Sequence, residues 1–263
     1  MLRLLKALSL MLALVTLATM AIVSTSCNSN GVAQIRVINT IADATSSLDV
    51  EFNGSTAVSG VAFDSVYPAP TTPPAYFGEA AGLVTIEAFC HGETANPILD
   101  STNTTLTGGD QYILLLSGFV ACQTSPPAPT TPIAAYLISD NNATPSANTV
   151  KFRVINGSLS SSTTPATADG FDVYILPPGQ PISGIPTITG LTLGQSGQGY
   201  VTFNYLPSYT VWVTAHKSTL PLFDTTYPQS NPQITTLVIV DQSNGTSPPT
   251  TVSPTMLELV DVK

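Results

Sequence analysis

The sequence contains few charged residues, and basic residues are the scarcest of them. Charged residues make up 9% of the 263-residue chain, only seven are Lys or Arg, and the formal net charge is −9. Nucleic-acid binding and attachment to anionic lipid both need a basic cluster, and none occurs here. We therefore expect no nucleic-acid partner and no electrostatic attachment to a membrane.

Residues typical of catalytic and metal sites are also rare. The two histidines are His91 and His216, and no Gly-x-Ser-x-Gly motif occurs. The glycine-rich stretch 194–199 has no helix pattern after it, so it does not fit a phosphate-binding loop. Segments 169–172 and 140–142 offer two or three oxygen ligands each, whereas calcium needs six to eight, so we interpret them as a turn and a linker. The sequence predicts a protein that is not an enzyme and binds no metal or cofactor.

No helical periodicity is found after residue 27. The 22 prolines and 18 glycines disfavour long helices, while 43% hydrophobic residues suffice for a core. Segments of five to eight residues alternate between apolar and polar positions, and turn signals separate them. The predicted fold class is all-β, with β-sandwich architecture.

The N-terminus has the parts of an export signal. Residues 1–6 carry two positive charges, residues 7–23 are largely apolar, and small residues lead to Cys27. This arrangement resembles a bacterial lipoprotein signal (1–26), in which Cys27 would receive the lipid and residues 27–32 would form a tether. Ser24 departs from the usual Leu, so ordinary cleavage nearby and an uncleaved anchor stay open. Asn28 is not the aspartate that retains such proteins at the inner membrane, which favours the outer membrane or cell surface.

One strand pattern occurs twice in the chain. Gln34–Asn39 followed by Leu48–Phe52 returns as Lys151–Asn156 followed by 171–175. Later landmarks repeat in the same order, including Val84–His91 with Tyr209–His216 and the Ser-Pro-Pro segments at 125 and 247. We predict a first repeat at 33–141 and a second at 148–263, joined by a polar linker.

Two expectations concern individual parts of the first repeat. The alternation in Ala33–Asn39 predicts a strand buried on one face only. The proline-rich segment 67–74 is predicted to be a loop that crosses from one sheet to the other, because proline cannot donate to a central ladder. Ile113–Leu116 is apolar on both faces and is predicted to be a central strand.

These motifs are similar to a known bacterial family. The Arg-Val-Ile-Asn strands at 36–39 and 153–156, the Asp-Val strand at 49–50 and the Leu-Asp strand at 99–100 resemble the "domain of unknown function 4397" family, over almost the whole chain after the tether. The resemblance implies exported, often lipidated proteins with tandem immunoglobulin-like sandwiches. It implies no activity and no catalytic residues.

Two cysteines remain after Cys27. Cys90 and Cys122 lie in the first repeat, and the second repeat has neither. In an exported protein an even pair predicts a disulfide. The alternative is a reactive thiol beside His91, although neighbours on a strand face opposite sides.

Two groups of residues are candidate binding sites. Arg36 and Arg153 occupy matching positions, as do Asp49 and Asp172, so we expect an Arg–Asp pair inside each sandwich or a repeated ligand site. Three aromatic residues of the second repeat form the other group: Trp212, Tyr205 and Tyr209. Exposed aromatic residues stack on sugars or anchor partners. Core packing against the neighbouring repeat is the alternative for Trp212.

The functional expectation is a non-enzymatic, lipid-anchored envelope protein that serves as a structural, adhesive or binding module. Its partners would be the membrane and a cell-surface protein or polysaccharide. A carbohydrate-binding module that uses the aromatic residues of the second repeat is the alternative, and an unrecognised hydrolase is the third hypothesis.

Overall fold

β-strands and the turns that connect them make up the part of the chain that the structure describes. The computed structural model describes residues 31–41, 47–71, 75–122, 128–129, 133–140, 143–159, 169–241 and 254–262, and these ranges contain no α-helix. The predicted all-β class is therefore confirmed. The signal segment 1–26, Cys27 and residues 28–30 of the tether lie outside the described residues.

The first half of the chain forms two main sheets. Its strands are β1 (Val32–Ile41), β2 (Leu48–Phe52), β3 (Ser55–Val61), β4 (Ser65–Tyr67), β5 (Phe77–Ala80), β6 (Gly82–Cys90), β7 (Leu99–Leu106), β8 (Gln111–Gly118), β9 (Val120–Ala121), β10 (Ala128–Pro129) and β11 (Ala134–Ser139). The order β3-β2-β6-β7 makes the first outer sheet. The order β11-β8-β1-β4, with β5 also on β1, makes the first inner sheet, and β9 and β10 form a small ribbon.

The second half pairs its strands in a corresponding order. Its strands are β12 (Thr149–Asn156), β13 (Phe171–Leu176), β14 (Ile188–Leu191), β15 (Val201–Asn204), β16 (Ser208–Ala215), β17 (Pro221–Pro228), β18 (Gln233–Asp241) and β19 (Pro254–Val262). The order β15-β12-β18-β19 makes the second inner sheet, and β14-β13-β16-β17 makes the second outer sheet. In each half, one parallel pair lies at the centre of the inner sheet: β1 with β8, and β12 with β18.

Three apolar cores lie between four stacked sheets. The first core joins the outer and inner sheets of the first half, and another joins those of the second half. The third core lies between the two inner sheets, and its buried residues come from both halves: Ile38, Val66, Ile113, Leu115, Ile138, Ile155, Val238, Val240 and Leu259. We call this contact between the inner sheets the junction.

The junction explains why one expectation about β1 was wrong. The strand was predicted to be half-buried, but its residues Ala33 and Ile35–Ile41 are all buried. One face packs on the first outer sheet through Ile35 and Val37, and the other carries Ile38 into the junction. Alternation identified the two faces correctly, but it could not show that a second sheet covers the polar one.

The position of the sheet crossing was also predicted wrongly. The proline-rich segment after Tyr67 connects β4 and β5, which both pair with β1 in the inner sheet. The chain changes sheets earlier, between β3 and β4, at residues 62–64. The prediction that Ile113–Leu116 is central is confirmed, because β8 lies between β11 and β1.

The two halves point in the same direction across the junction. Arg36 of β1 and Arg153 of β12 bond to the same carboxylate, that of Asp140. Further along the same two strands, the Thr40 hydroxyl donates to the Gly157 carbonyl oxygen at 3.1 Å. We call the end at which β1 and β12 begin the base of the stack, and the opposite end the top.

A glycine of the second half packs closely against an aromatic ring of the first. Gly194 has a φ of +77°, and a Cβ added there would lie 2.1 Å from Cδ1 of Tyr136. Its N–H donates to the Asn156 carbonyl oxygen at 2.8 Å, which fixes the backbone at this spot. Only glycine fits, because both the backbone conformation and the space exclude a side chain.

Gly194→Ala is expected to lower the free energy of unfolding by about 1–3 kcal/mol, since Tyr136 must move. Gly199→Ala is the matched control: Gly199 also has a positive φ, of +81°, but a Cβ there meets nothing within 4 Å. Urea unfolding of both variants measures the difference. Equal losses at the two positions would show that the contact with Tyr136 contributes nothing.

Candidate functional site

Four buried charged side chains meet at the junction. Arg36 donates to Asp261 at 2.6 Å and to Asp140 at 2.9 Å, and Arg153 donates to Asp140 at 2.8 Å. The four side chains are between 0% and 2% exposed. Two positive and two negative charges therefore neutralise each other out of contact with water.

Other oxygen and nitrogen atoms of this network also find partners, except for Nε of Arg36 and Nε of Arg153, which are buried without a hydrogen-bond partner. Arg153 donates to the Ser139 carbonyl oxygen and to the Thr236 hydroxyl, each at 3.1 Å. Thr236 in turn donates to the second oxygen of Asp261 at 2.7 Å. Buried charges are tolerated when they are paired and hydrogen-bonded in this way.

Two tyrosines complete the coordination of Asp140, one from each half. The Tyr76 hydroxyl donates to Oδ2 at 2.7 Å, and the Tyr200 hydroxyl donates to Oδ1 at 2.8 Å. Each ring also lies against an arginine, with Arg36 5.1 Å from the Tyr76 centroid and Arg153 4.4 Å from the Tyr200 centroid. We call these residues, Arg36, Arg153, Asp140, Asp261, Thr236, Tyr76 and Tyr200, the junction network.

Electrostatics keep the network in its charged form. Burial by itself would raise the pKa of Asp140, but the guanidinium groups of Arg153 and Arg36 and the two tyrosine hydroxyls hold it below its ordinary value. Burial disfavours the charged form of Arg36 and by itself would lower its pKa. The facing carboxylates more than offset this effect and raise the pKa. Burial raises the pKa of Tyr76 and of Tyr200, so both stay protonated donors.

The predicted Arg–Asp pairs within each sandwich were wrong. Arg36 and Arg153 face the junction, whereas Asp49 and Asp172 lie in the outer sheets. Asp140, which was interpreted as part of a linker, is the centre of the network. The matching positions of Asp140 and Asp261 at the ends of the two repeats were the available signal for these partners.

Asp49 and Asp172 instead bind the two histidines. His91 Nδ1 lies 2.8 Å from Oδ1 of Asp49, and His216 Nδ1 lies 2.8 Å from Oδ1 of Asp172. Each of the two carboxylates also accepts a hydroxyl and two backbone N–H groups, from Ser59, Gly60 and Gly92 in the first half and from Thr189, Gly190 and Lys217 in the second. Each cluster thus ties three segments together at the top of an outer sheet.

We call the Asp49–His91 and Asp172–His216 clusters the histidine clamps, because each one holds the end of a strand. The Ser59 hydroxyl donates to the carboxylate of Asp49 at 2.8 Å and lies 3.5 Å from His91 Nδ1, the same nitrogen that faces Asp49. Activation of a nucleophile by a His–Asp pair needs the hydroxyl on the opposite ring nitrogen. Each clamp therefore gives its histidine a structural role at the end of a strand.

The Asp172 clamp predicts a pH-dependent contribution to stability. Burial favours a higher pKa for Asp172, but the bonds from His216, Gly190, Lys217 and Thr189 lower it below the ordinary value. A carboxyl group with a lowered folded-state pKa stabilises the protein above its unfolded pKa, and this contribution is lost as pH falls through the folded-state pKa. Asp172→Asn should therefore be clearly less stable than the parent at neutral pH, and the deficit should shrink below about pH 4.

Urea unfolding of the parent and of Asp172→Asn at several pH values measures this deficit. Asp224→Asn is the control, because Asp224 is exposed on the edge strand β17. A deficit that stays constant from neutral to acid pH would contradict the role of the charged carboxylate.

The predicted disulfide is present. Cys90 at the end of β6 and Cys122 after β9 are bonded, 32 residues apart. The bond connects β6 of the first outer sheet to the segment that follows β8 of the first inner sheet. This pairing excludes the alternative of a reactive thiol at Cys90 in the oxidised protein.

The three aromatic candidates do not form one exposed platform. Tyr209 is 3% exposed and packs in the second core, 5.4 Å from the Phe152 ring and 5.3 Å from the Phe203 ring. Tyr205 is half-buried against the same core. Tyr209 was placed wrongly because its strand alternates over Tyr209, Val211 and Val213, all three of which face inward.

Trp212 lies apart from the other two aromatic residues. It is half-buried on β16, opposite Tyr174 of β13 and Asp224 of β17. Because β16 belongs to the second outer sheet, Trp212 does not pack in the junction as the alternative proposed. Its Nε1 is buried and has no hydrogen-bond partner.

The described residues contain no further obvious chemical centre. Within them, no group of three or more His, Cys, Asp or Glu side chains converges as metal ligands would. No helix that is long and apolar enough to cross a bilayer occurs among the same residues.

The architecture defines a class of protein: a stack of β-sheets fastened by buried polar contacts. Residues 33–166 match the family described as "Domain of unknown function (DUF4397)". This match covers just over half of the chain, which therefore belongs to that family. No curated protein matches the sequence.

Proposed function

We propose that the protein is an exported bacterial lipoprotein built from two tandem immunoglobulin-like repeats. The basic and apolar N-terminal segment and Cys27 support the export and lipid anchor. The corresponding order of strand pairs in the two halves supports the duplication. Cys27 carries the lipid, and the stack of sheets is held at the outer membrane or cell surface.

We further propose that the stack acts as a non-enzymatic structural, adhesive or binding module. The observation that carries this proposal is the junction network, in which the arginines and their carboxylates are at most 2% exposed and bond to each other. These groups hold the halves together and are not presented to a substrate. A rigid body on a short anchor is suited to a structural role or to presenting a binding surface.

A carbohydrate-binding module is the second candidate, and one observation favours it. The half-buried Trp212 lies on the same face of β16 as Thr210, whose hydroxyl bonds to that of Thr226 at 3.0 Å. Aromatic faces next to hydroxyl groups suit sugar rings. A glycan array with the parent and Trp212→Ala tests this role: absence of any polysaccharide signal removes the candidate, and a signal lost in the variant supports it.

Metabolic labelling tests the lipid anchor directly. Bacteria that express the full chain and are fed a tagged fatty acid should label the parent protein, and Cys27→Ser should abolish the label. Mass spectrometry of the mature N-terminus should find acylated Cys27 as the first residue. An unlabelled parent whose N-terminus starts elsewhere would overturn the lipoprotein proposal.

A further inference from the structure

Three of the five large exposed hydrophobic side chains among the described residues lie at one end of the molecule. The five are Val32, Tyr67, Leu83, Ile185 and Leu220. Leu83 is 72% exposed, Ile185 91% and Leu220 75%. Val32, Leu83 and Ile185 lie at the base of the stack, and Leu220 lies at the top.

Backbone hydrogen bonds place Val32 and Leu83 at the base. The Ala81 N–H donates to the Gly31 carbonyl oxygen at 2.8 Å, and Leu83 follows two residues later in β6. The Gly109 N–H donates to the Val32 carbonyl oxygen at 2.9 Å. All these residues surround the point at which β1 begins.

Strand pairing places Ile185 at the same end and Leu220 at the other. Ile185 is in the loop that follows β13, whose last residue Leu176 pairs with Thr210 near the start of β16. The Tyr205 N–H, just before β16, bonds to the Asn148 carbonyl oxygen just before β12 begins. Leu220 is in the turn that follows β16, beyond His216 at the top.

The base is also poor in charge. The four connecting segments of the second half at this end, 143–148, 177–187, 205–207 and 229–232, contain no charged residue. The corresponding turns of the first half, 53–54, 81–83 and 107–110, contain one, Asp110. The Lys151 ammonium of β12 also donates to the Ala143 carbonyl oxygen in one of these segments. A surface with so few charges can approach lipid at a low cost of dehydration.

The short segment between Cys27 and Gly31 favours lipid as the partner of this surface. Gly31 comes four residues after Cys27, and a fully extended chain spans at most about 14 Å over four residue steps. Gly31 is at the base, so acyl chains on Cys27 would hold the base close to the bilayer. A second copy of the chain has no comparable constraint that would bring it to this end.

We propose that the base of the stack rests on the lipid surface, with Leu83 and Ile185 inserted at the membrane interface beside the anchor. This inference depends on the acylation of Cys27 proposed above. Transfer of these side chains out of water is favourable, and it adds a second contact to the lipid anchor. The top, with the two histidine clamps and the disulfide, then faces away from the membrane.

Tryptophan substitution locates the two ends relative to the bilayer. We would prepare Leu83→Trp, Ile185→Trp and Leu220→Trp in the acylated full-length mature protein and add phosphatidylcholine vesicles with brominated acyl chains. Trp212 is a constant background in all three. When vesicles are added, we expect a blue shift and a loss of fluorescence for the first two variants. For Leu220→Trp we expect no vesicle-induced change beyond that of the parent.

Three results would overturn the proposal. The first is equal quenching at residues 83, 185 and 220, and the second is no quenching at any of them. The third is a blue shift of the base tryptophans without vesicles that grows with protein concentration, because a second copy would then occupy this surface.

The test remains decisive if Cys27 proves not to be acylated. The mass of the mature N-terminus would show that failure separately, and it would remove the lipoprotein proposal. The Cys27 thiol can then be coupled to a maleimide phospholipid, since Cys90 and Cys122 are bonded to each other. Quenching at residues 83 and 185 in that conjugate would support the lipid-facing base, and its absence would overturn it.

Discussion

Asp140→Asn is expected to lower the free energy of unfolding by about 3–5 kcal/mol, the cost of breaking a buried ion pair by removing one partner. Asp140 accepts hydrogen bonds from Arg36, Arg153, Tyr76 and Tyr200. The substitution removes the negative charge but leaves both buried guanidinium groups in place. Urea unfolding of the full chain, followed by circular dichroism, measures the loss.

Two matched variants show whether the loss comes from the network. Asp261→Asn should cost less than Asp140→Asn, because Asp261 accepts from Arg36 and Thr236 and is not shared between two arginines. Asp224→Asn on the exposed edge should change stability by less than about 0.5 kcal/mol. If Asp140→Asn were as mild as Asp224→Asn, the junction network would not hold the halves together.

Removal of the disulfide is expected to cost about 3–4 kcal/mol, because the bond closes a segment of 32 residues and limits the unfolded chain. The variant is Cys90→Ala combined with Cys122→Ala, which avoids a leftover thiol. Urea unfolding without reductant compares it with the parent. The lost stability comes from the first half of the chain, because the second half has no equivalent bond.

Reductant provides the control for this prediction. A reducing agent should lower the stability of the parent to that of the double variant and leave the variant unchanged. A parent that is equally stable with and without reductant would contradict a stabilising role for the bond.

The parts of the fold that depend on local sequence could be predicted. The strand Leu48–Phe52 was placed at the correct residues, because strict alternation and the Asn53-Gly54 turn define its ends. The Cys90–Cys122 bond could be predicted because only these two cysteines were left to pair in the repeats. The central position of Ile113–Leu116 followed from a strand that is apolar on both faces.

The parts that depend on contacts between distant segments could not be predicted. Alternation shows that Arg36 and Ile38 share a face of β1, but it does not show that β12 and β18 cover that face. One partner of Arg36, Asp261, is 225 residues away in the sequence, and no local pattern around Arg36 indicates that contact. Asp140 looked like part of a polar linker because its neighbours are Asn and Thr, although its side chain is fully buried.

The central claim is that the two halves form one body through their inner sheets, and small-angle X-ray scattering of the mature chain tests it most directly. A single compact body of this length has a radius of gyration of about 18 Å. Two sandwiches joined only by a linker and separated end to end would give roughly 22 Å or more. A value near the first supports the junction, and a value at or above the second would contradict it.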